Sequence, residues 1–205
     1  MSNTYPVQLE IAGPAAMFAR PDSGAAPVSY PAPTYSAAKG IFEAVARFES
    51  AMIHPTRVEI CQPLRYQQYT TNYGGPLRKG NQLAIGASYQ LIATILLDVC
   101  YRIWGEVREV KRPPGTTNHL HALQAVFERR LAKGQCFHTP CLGWKEFTPS
   151  YLGRFRPKTP GPDTSINLTI PSMLHSVFDR PVRGEVAPRF VQDVRIVEGV
   201  LHYAE

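Results

Sequence analysis

Residues Lys133 to Phe147 read KGQCFHTPCLGWKEF, placing two of the chain's four cysteines around a histidine. Cys136, His138 and Cys141 are donors that suit zinc, but structural zinc takes four ligands in tetrahedral geometry. A fourth would have to come from Cys61, Cys100 or a distant histidine, and no CxxC spacing organises those cysteines. The expectation is no metal and no cofactor, with Cys136 and Cys141 as small buried groups beneath the loop and Phe137 and Leu142 packed inward. No Asp or second His falls at a spacing that would make either cysteine a catalytic thiol. The stretch better suits an anion. Gly134 and Gly143 permit close backbone approach, Lys133 and Lys145 flank them, and the loop follows a helix. This predicts that Lys133, Gly134, Gln135, His138 and Lys145 face a phosphate-bearing partner.

The elements that must position this loop are legible as periodicities. YPVQLEIAG alternates as a strand with Val7, Leu9 and Ile11 on one side. A Pro/Gly-rich loop from Pro14 to Pro33 follows, carrying Arg20 and Tyr30. Thr34 or Ser36 then caps a helix whose Ile41, Phe42, Val45 and Phe48 share a face. RVEICQPL reads as a strand with Val58 and Ile60 inward and Cys61 on the other face with Arg57 and Glu59. Residues 65–90 turn polar, aromatic and glycine-rich, a hairpin excursion with its turn at YGGP. The next strand alternates Ile95, Leu97, Val99, Tyr101 and Ile103 against Thr94, Leu96, Asp98, Cys100 and Arg102. A second helix carries Leu120, Leu123, Phe127 and Leu131 inward and Arg129 and Arg130 outward, and WKEF is expected to start a further strand. Strand, helix, strand, strand, helix, strand is the order of a split βαβ unit, so the predicted class is α+β, ferredoxin-like (RRM-like). Residues 1–150 form that domain. Residues 151–205 form a small C-terminal β extension, opened by GRFRPKTPGPD and closed by a hairpin turning at Glu198-Gly199.

The bulk numbers agree with one well-cored unit: 205 residues, 44% hydrophobic. A formal charge of +6, from 22 Lys+Arg against 16 Asp+Glu, points to nucleic acid or to a merely basic surface. The N-terminus lacks a secretory pattern, and the longest apolar run is interrupted by Asp98 and Arg102. The expectation is a soluble cytoplasmic protein with reduced cysteines and no membrane partner.

Three blocks together carry a resemblance. KGQCFHTPCLGWKEF resembles the signature loop of the fifth CRISPR-associated (Cas) family in its subtype I-C, or Dvulg, branch of the RAMP superfamily. FARPDSGAAPVSYPAPTYSAAKGIFEAV resembles that branch's opening F-x-R-P turn, V-S-Y strand and A-(K/R)-G-I helix, and APRFVQDVRIVEGVLHYAE its C-terminal hairpin. The resemblance implies a protein that binds the 5′ handle of CRISPR RNA and caps a Cascade-type complex. Its partners would be the Cas backbone subunits and the large subunit, with target DNA met indirectly. The excursion at 65–90 is similar to the family's thumb. There Arg65, Arg78 and Lys79 suit phosphates, and Tyr66, Tyr69 and Tyr73 suit unpaired bases. Arg20, Tyr30 and Lys39 join the loop residues on the handle.

The branch is also known for metal-free cleavage of its repeat RNA, and here the chain departs from the pattern. The family's tyrosine, six residues after the helix glycine Gly40, falls on Ala46. Its Lys-His pair, twelve and eleven residues before Gly134, falls on Ala122 and Leu123. Metal-free cleavage needs a base for the 2′-hydroxyl and a group that stabilises the charged phosphorane. Its absence implies a binding subunit without nuclease activity. The alternative is an endoribonuclease that processes precursor CRISPR RNA at the repeat, using His119 or His121 with Tyr35 or Lys39. A generic RRM-like binder is a third reading, disfavoured because the strongest strand has no RNP-type aromatic motif.

Overall fold

The structure, a computed structural model, describes residues 4–73, 89–111, 115, 118–177 and 186–204. In chain order the elements are β1 (Pro6–Ala16), a 3₁₀ turn (Pro21–Ser23), α1 (Tyr35–Val45), β2 (Ala51–Ile60), β3 (Tyr66–Tyr73) and β4 (Tyr89–Glu109). Then come α2 (His119–Lys133), β5 (Tyr151–Gly153), β6 (Leu168–Ser176), β7 (Arg189–Val197) and β8 (Val200–His202). The strands make one curled antiparallel sheet in the order β5-β1-β4-β2-β8-β7-β6, with β3 added to β4 beyond the end of β2. The architecture is mixed α and β.

The organising element is β4. One edge carries β1; the other carries β2 along Tyr101–Glu109 and β3 along Tyr89–Leu96. The change of partner falls at Asp98, whose carboxylate takes the Arg65 guanidinium at 2.8 Å. Asp98 has φ +49° and stands opposite Pro14, which has no N–H to give the ladder. The pleat flips there, so Leu96 and Val99 both face the main core, while Ile95 joins Met17 and Ala93 on the other side. The expected unbroken alternation from Ile95 to Ile103 is corrected accordingly. The same device recurs in the C-terminal hairpin, where Asp193 (φ +51°) stands opposite Pro171 and both Ile170 and Met173 are buried.

Both helices cover one face of the sheet. Thr34 caps α1, accepting from the Ala37 N–H at 3.2 Å. Ala38, Ile41, Phe42 and Val45 then meet Leu123, Phe127 and Leu131 of α2 over Leu9, Ile11, Val58, Ile60, Tyr101 and Ile103. The Phe42 and Phe127 rings lie 5.6 Å apart. Each such buried side chain contributes about 2–3 kcal/mol by leaving water. The other face carries Glu10, Arg102 and Trp104, and the basic loop after β5 closes over it. Phe155 packs edge-on against Trp104, and Arg102 donates to the Arg156 and Thr159 carbonyls. The cysteines Cys61 and Cys100 are buried side by side on this face.

Two element expectations change. RVEICQPL supplies only the last residues of β2, which runs Ala51–Ile60 and ends before Cys61. WKEF is a turn rather than a strand: the Phe147 N–H bonds the Trp144 carbonyl at 3.1 Å and the two rings stack in parallel. The sheet resumes only at Tyr151, for three residues. The hairpin at Glu198-Gly199 forms as expected, both residues having positive φ as a tight two-residue turn requires. No helix among the described residues is long and apolar enough to cross a membrane.

Candidate nucleic-acid interface

The loop after α2 is held by its own backbone. Gly134 caps the helix in the left-handed region (φ +64°), and the Gly134 and Gln135 N–H groups close on the Leu131 and Arg130 carbonyls. The Phe137 and His138 N–H groups both reach the Ala44 carbonyl at the end of α1, at 2.7 and 3.2 Å. Arg130 caps the same end through the Val45 carbonyl at 3.0 Å. Further on, Leu142 donates to the Phe147 carbonyl and accepts from the Met17 N–H. Gly143 (φ +89°) crosses so close to the chain that a Cβ there would lie 1.9 Å from the Met17 carbonyl oxygen.

This corrects the expected anion cradle. The amides of Gly134, Gln135, Phe137 and His138 are committed to protein carbonyls, and the helix end in front of the loop presents carbonyls, which repel anions. What the loop offers is side chains. Lys133 and Lys145 are exposed and make no ion pair among the described residues. Cys136 is exposed and Cys141 half-buried, against the expectation of two buried thiols, because the turn onto Ala44 swings this segment outward. Leu142 is the residue that packs inward. Phe137 does not: it is 56% exposed, edge-on to His138 and beneath the Arg130 guanidinium. Phe137 is an exposed aromatic face that the sequence reading missed; an aromatic beside His and Lys in a Gly-bounded loop was the available signal.

The remaining expected contacts separate into groups. Tyr66 is exposed at the start of β3, near Arg20, and partial burial raises its hydroxyl's pKa. Tyr69 packs edge-on to Phe147, which joins β3 to the loop. Arg65 is exposed and shared with Asp98. Arg20 is engaged twice by Asp22, at 3.1 and 2.7 Å, and Lys39 lies 3.7 Å from Glu43, so both are weaker phosphate donors than their charge suggests. Tyr30 is corrected to a core residue. Only 1% exposed, it donates to the Ser172 carbonyl and accepts from the Leu174 N–H, closing the outer edge of β6. The backbone of Tyr73 pairs with Tyr89; Arg78 and Lys79 lie outside the described residues.

The counted cleavage positions hold no titratable group. Ala46 ends α1 in the core, Leu123 is buried beneath α2, and Ala122 is exposed. The substitute constellation is not assembled either. His119 lies 3.5 Å from Glu109 and His121 stands edge-on to Tyr5, while Lys39 turns to Glu43. Tyr35 instead belongs to a cluster that no spacing announces: its hydroxyl lies 2.7 Å from His54 Nδ1 and its ring stacks on His175 at 4.1 Å. Those residues come from α1, β2 and β6 and meet only through the curl of the sheet.

A model of the family described as "CRISPR-associated protein (Cas_Cas5)" matches residues 7–195. The chain belongs to this family. It is 34% identical over 198 residues to "CRISPR pre-crRNA endoribonuclease Cas5d" of Thermus thermophilus, covering 88% of this chain and 82% of that one. The protein of the same description from Mannheimia succiniciproducens is 27% identical over 194 residues, covering 83% and 84%. Among solved structures, a CRISPR-associated protein superposes with a TM-score of 0.72 at 17% identity, over 100% of this chain and 95% of that one. A Streptococcus mutans protein, SMU1763c, superposes with 0.70 at 16%, over 98% and 92%. These two likenesses bear on the fold. Membership of the family agrees with the resemblance carried by the three sequence blocks.

Proposed function

We propose that this Cas5-family chain is a Cascade-type effector subunit that holds the 5′ handle of CRISPR RNA and does not cut it. The observation that carries the reading is the combination of family membership with Ala46, Ala122 and Leu123 at the positions of the family's tyrosine and Lys-His pair. Neither an alanine nor a leucine can deprotonate a 2′-hydroxyl or steady a phosphorane. RNA meets the face formed by the thumb base and the loop after α2. Lys133, Lys145 and Arg65 neutralise phosphates, and Tyr66, Phe137 and His138 stack unpaired bases. Residues 1–150 act as a ferredoxin-like RNA-binding domain; the order β5-β1-β4-β2 with two helices on one face supports that assignment. Residues 151–205 extend its sheet. The partners are the CRISPR RNA handle and the neighbouring backbone and large subunits, and the complex acts in the cytoplasm.

A second reading is favoured by the names of the two curated relatives, both described as pre-crRNA endoribonucleases. If this chain cuts RNA, the Tyr35–His54–His175 cluster is the place to look, since a hydroxyl and an imidazole 2.7 Å apart can share a proton.

The binding half of the proposal is tested by salt. Replacing Lys133 and Lys145 together with alanine removes two phosphate contacts. It is expected to lower the slope of log K against log salt for single-stranded repeat RNA by about 1.4, at about 0.7 per contact. Fluorescence anisotropy across a potassium chloride series reads this directly. Unchanged affinity and slope would place the RNA elsewhere.

A further inference from the structure

The β7–β8 hairpin opens like a wedge. β8 pairs with β7 only at Ile196↔Leu201 and Val197↔Val200, and the chain then leaves to run along β2, with Tyr203 N–H on the Thr56 carbonyl. Along Arg189–Arg195, β7 keeps its ladder with β6, but its opposite edge pairs with no strand among the described residues. Between that edge and residues 201–204 lies a pocket of about 720 Å³, floored by Met173, Tyr35 and His175. The outer edge of β6, by contrast, is closed by the Tyr30 hydroxyl. Val197, 56% exposed, lines the pocket, and Phe190 on β7 and Val186 on its approach are exposed apolar side chains of the same strand segment.

This edge presents N–H and C=O groups in alternation as far as Gln192, before the left-handed Asp193 interrupts it, and the partner that matches both is another strand. A phosphodiester backbone supplies acceptors and would face the carbonyls unfavourably. A second copy of this chain fits poorly: self-pairing brings the edge lined by Arg57, Arg195 and His202 in one copy against the same positive edge of the other. Arg57, Arg195 and His202 line the pocket against a single acid, Asp193. We propose that the Arg189–Arg195 edge of β7 receives an extended segment of another protein subunit, adding a strand to the sheet. That segment carries an apolar side chain into the pocket and acidic residues toward Arg195 and Arg57. The inference rests on the reading of this chain as a complex subunit and names a surface distinct from the RNA-facing loop.

Hydrogen–deuterium exchange tests it in three states: the chain alone, the chain with repeat RNA, and the chain reconstituted with the other protein subunits of its effector. The open-edge amides of residues 189–195 are expected to exchange fast in the first two states and about tenfold or more slower in the third. Arg195→Glu is expected to weaken subunit association by about tenfold or more while repeat-RNA affinity stays within twofold. Protection by RNA alone overturns the proposal in favour of a nucleic-acid site. Protection of the isolated chain that grows with its concentration overturns it in favour of self-association. A complex that forms with residues 189–195 still unprotected overturns this inference and leaves the subunit reading standing; failure of the wild-type chain to join any complex overturns both.

Discussion

Gly143→Ala is expected to destabilise the protein by about 3–5 kcal/mol, the sum of a left-handed backbone imposed on an L-residue and a steric overlap. The overlap is with backbone: the new Cβ would sit 1.9 Å from the Met17 carbonyl oxygen and 2.6 Å from its carbon. No side-chain rotation relieves that, so the crossing of β1's end with the loop must open, taking the Met17–Leu142 hydrogen bond with it. For a domain of this size each kcal/mol lowers Tm by about 2–4 °C, so thermal unfolding should shift by roughly 10 °C. Gly134→Ala is the control. It also has positive φ, but open space surrounds it, and about 1 kcal/mol is expected. Equal losses at the two glycines would mean that the loop does not cross Met17 as described.

Glu10→Gln should cost about 3 kcal/mol, because it removes the charge around which the second face of the sheet is organised. The Glu10 carboxylate is fully buried; it accepts from Thr159 at 2.7 Å, from the Arg156 side chain at 2.5 Å and backbone at 3.1 Å, and from Arg102 at 3.3 Å. Burial alone would raise its pKa. The hydrogen bonds from Thr159, Arg156 and Arg102 outweigh that and hold the carboxyl below its ordinary 4.5. A folded-state pKa below the unfolded one means that the stabilisation is complete above about pH 4.5 and is lost as the pH falls through the folded value. Acid denaturation of the wild type should therefore steepen below that point, and the glutamine variant should lose that part of the dependence. Arg156 is itself half-exposed, so solvent screening keeps the expected cost at the low end for a buried pair. An unchanged acid limb in the variant would assign the pH dependence to other carboxylates.

Many of the elements could be read from the sequence because their periods are clean: 3.6 in both helices, 2 in β1 and the second half of β4; β2, by contrast, runs Ala51–Ile60 with a bulge between Pro55 and Arg57, so RVEICQPL marks only its last residues. What escaped reading is where two segments act on each other. Pro14 looks like the start of a loop, yet β1 continues to Ala16, because Asp98 across the ladder takes up the missing hydrogen bond's geometry with a left-handed turn. Tyr30 looks like a loop aromatic free to stack on RNA, but the sheet's curl brings β6 to it and turns its hydroxyl into an edge cap. WKEF has strand-like residues, and the stacking of Trp144 on Phe147 makes them a turn. The loop after α2 is marked in the sequence by its glycines and lysines, but its hydrogen bonding is not. Its amides are spent on α1 and α2, and the exposed Phe137 emerges only once the Ala44 carbonyl is seen to hold the segment outward. The Tyr35–His54–His175 cluster has no local signal at all.

The central claim is RNA binding without cleavage, and one gel assay tests it. Purified protein is incubated with end-labelled repeat RNA, with and without magnesium, and each sample is run on both native and denaturing gels. The account predicts a retarded complex on the native gel and intact RNA on the denaturing one in both conditions. A discrete, metal-independent cut at the base of the repeat hairpin, abolished by His54→Ala or Tyr35→Phe but not by His119→Ala or His121→Ala, would contradict it and put the nuclease in the cluster beneath β6.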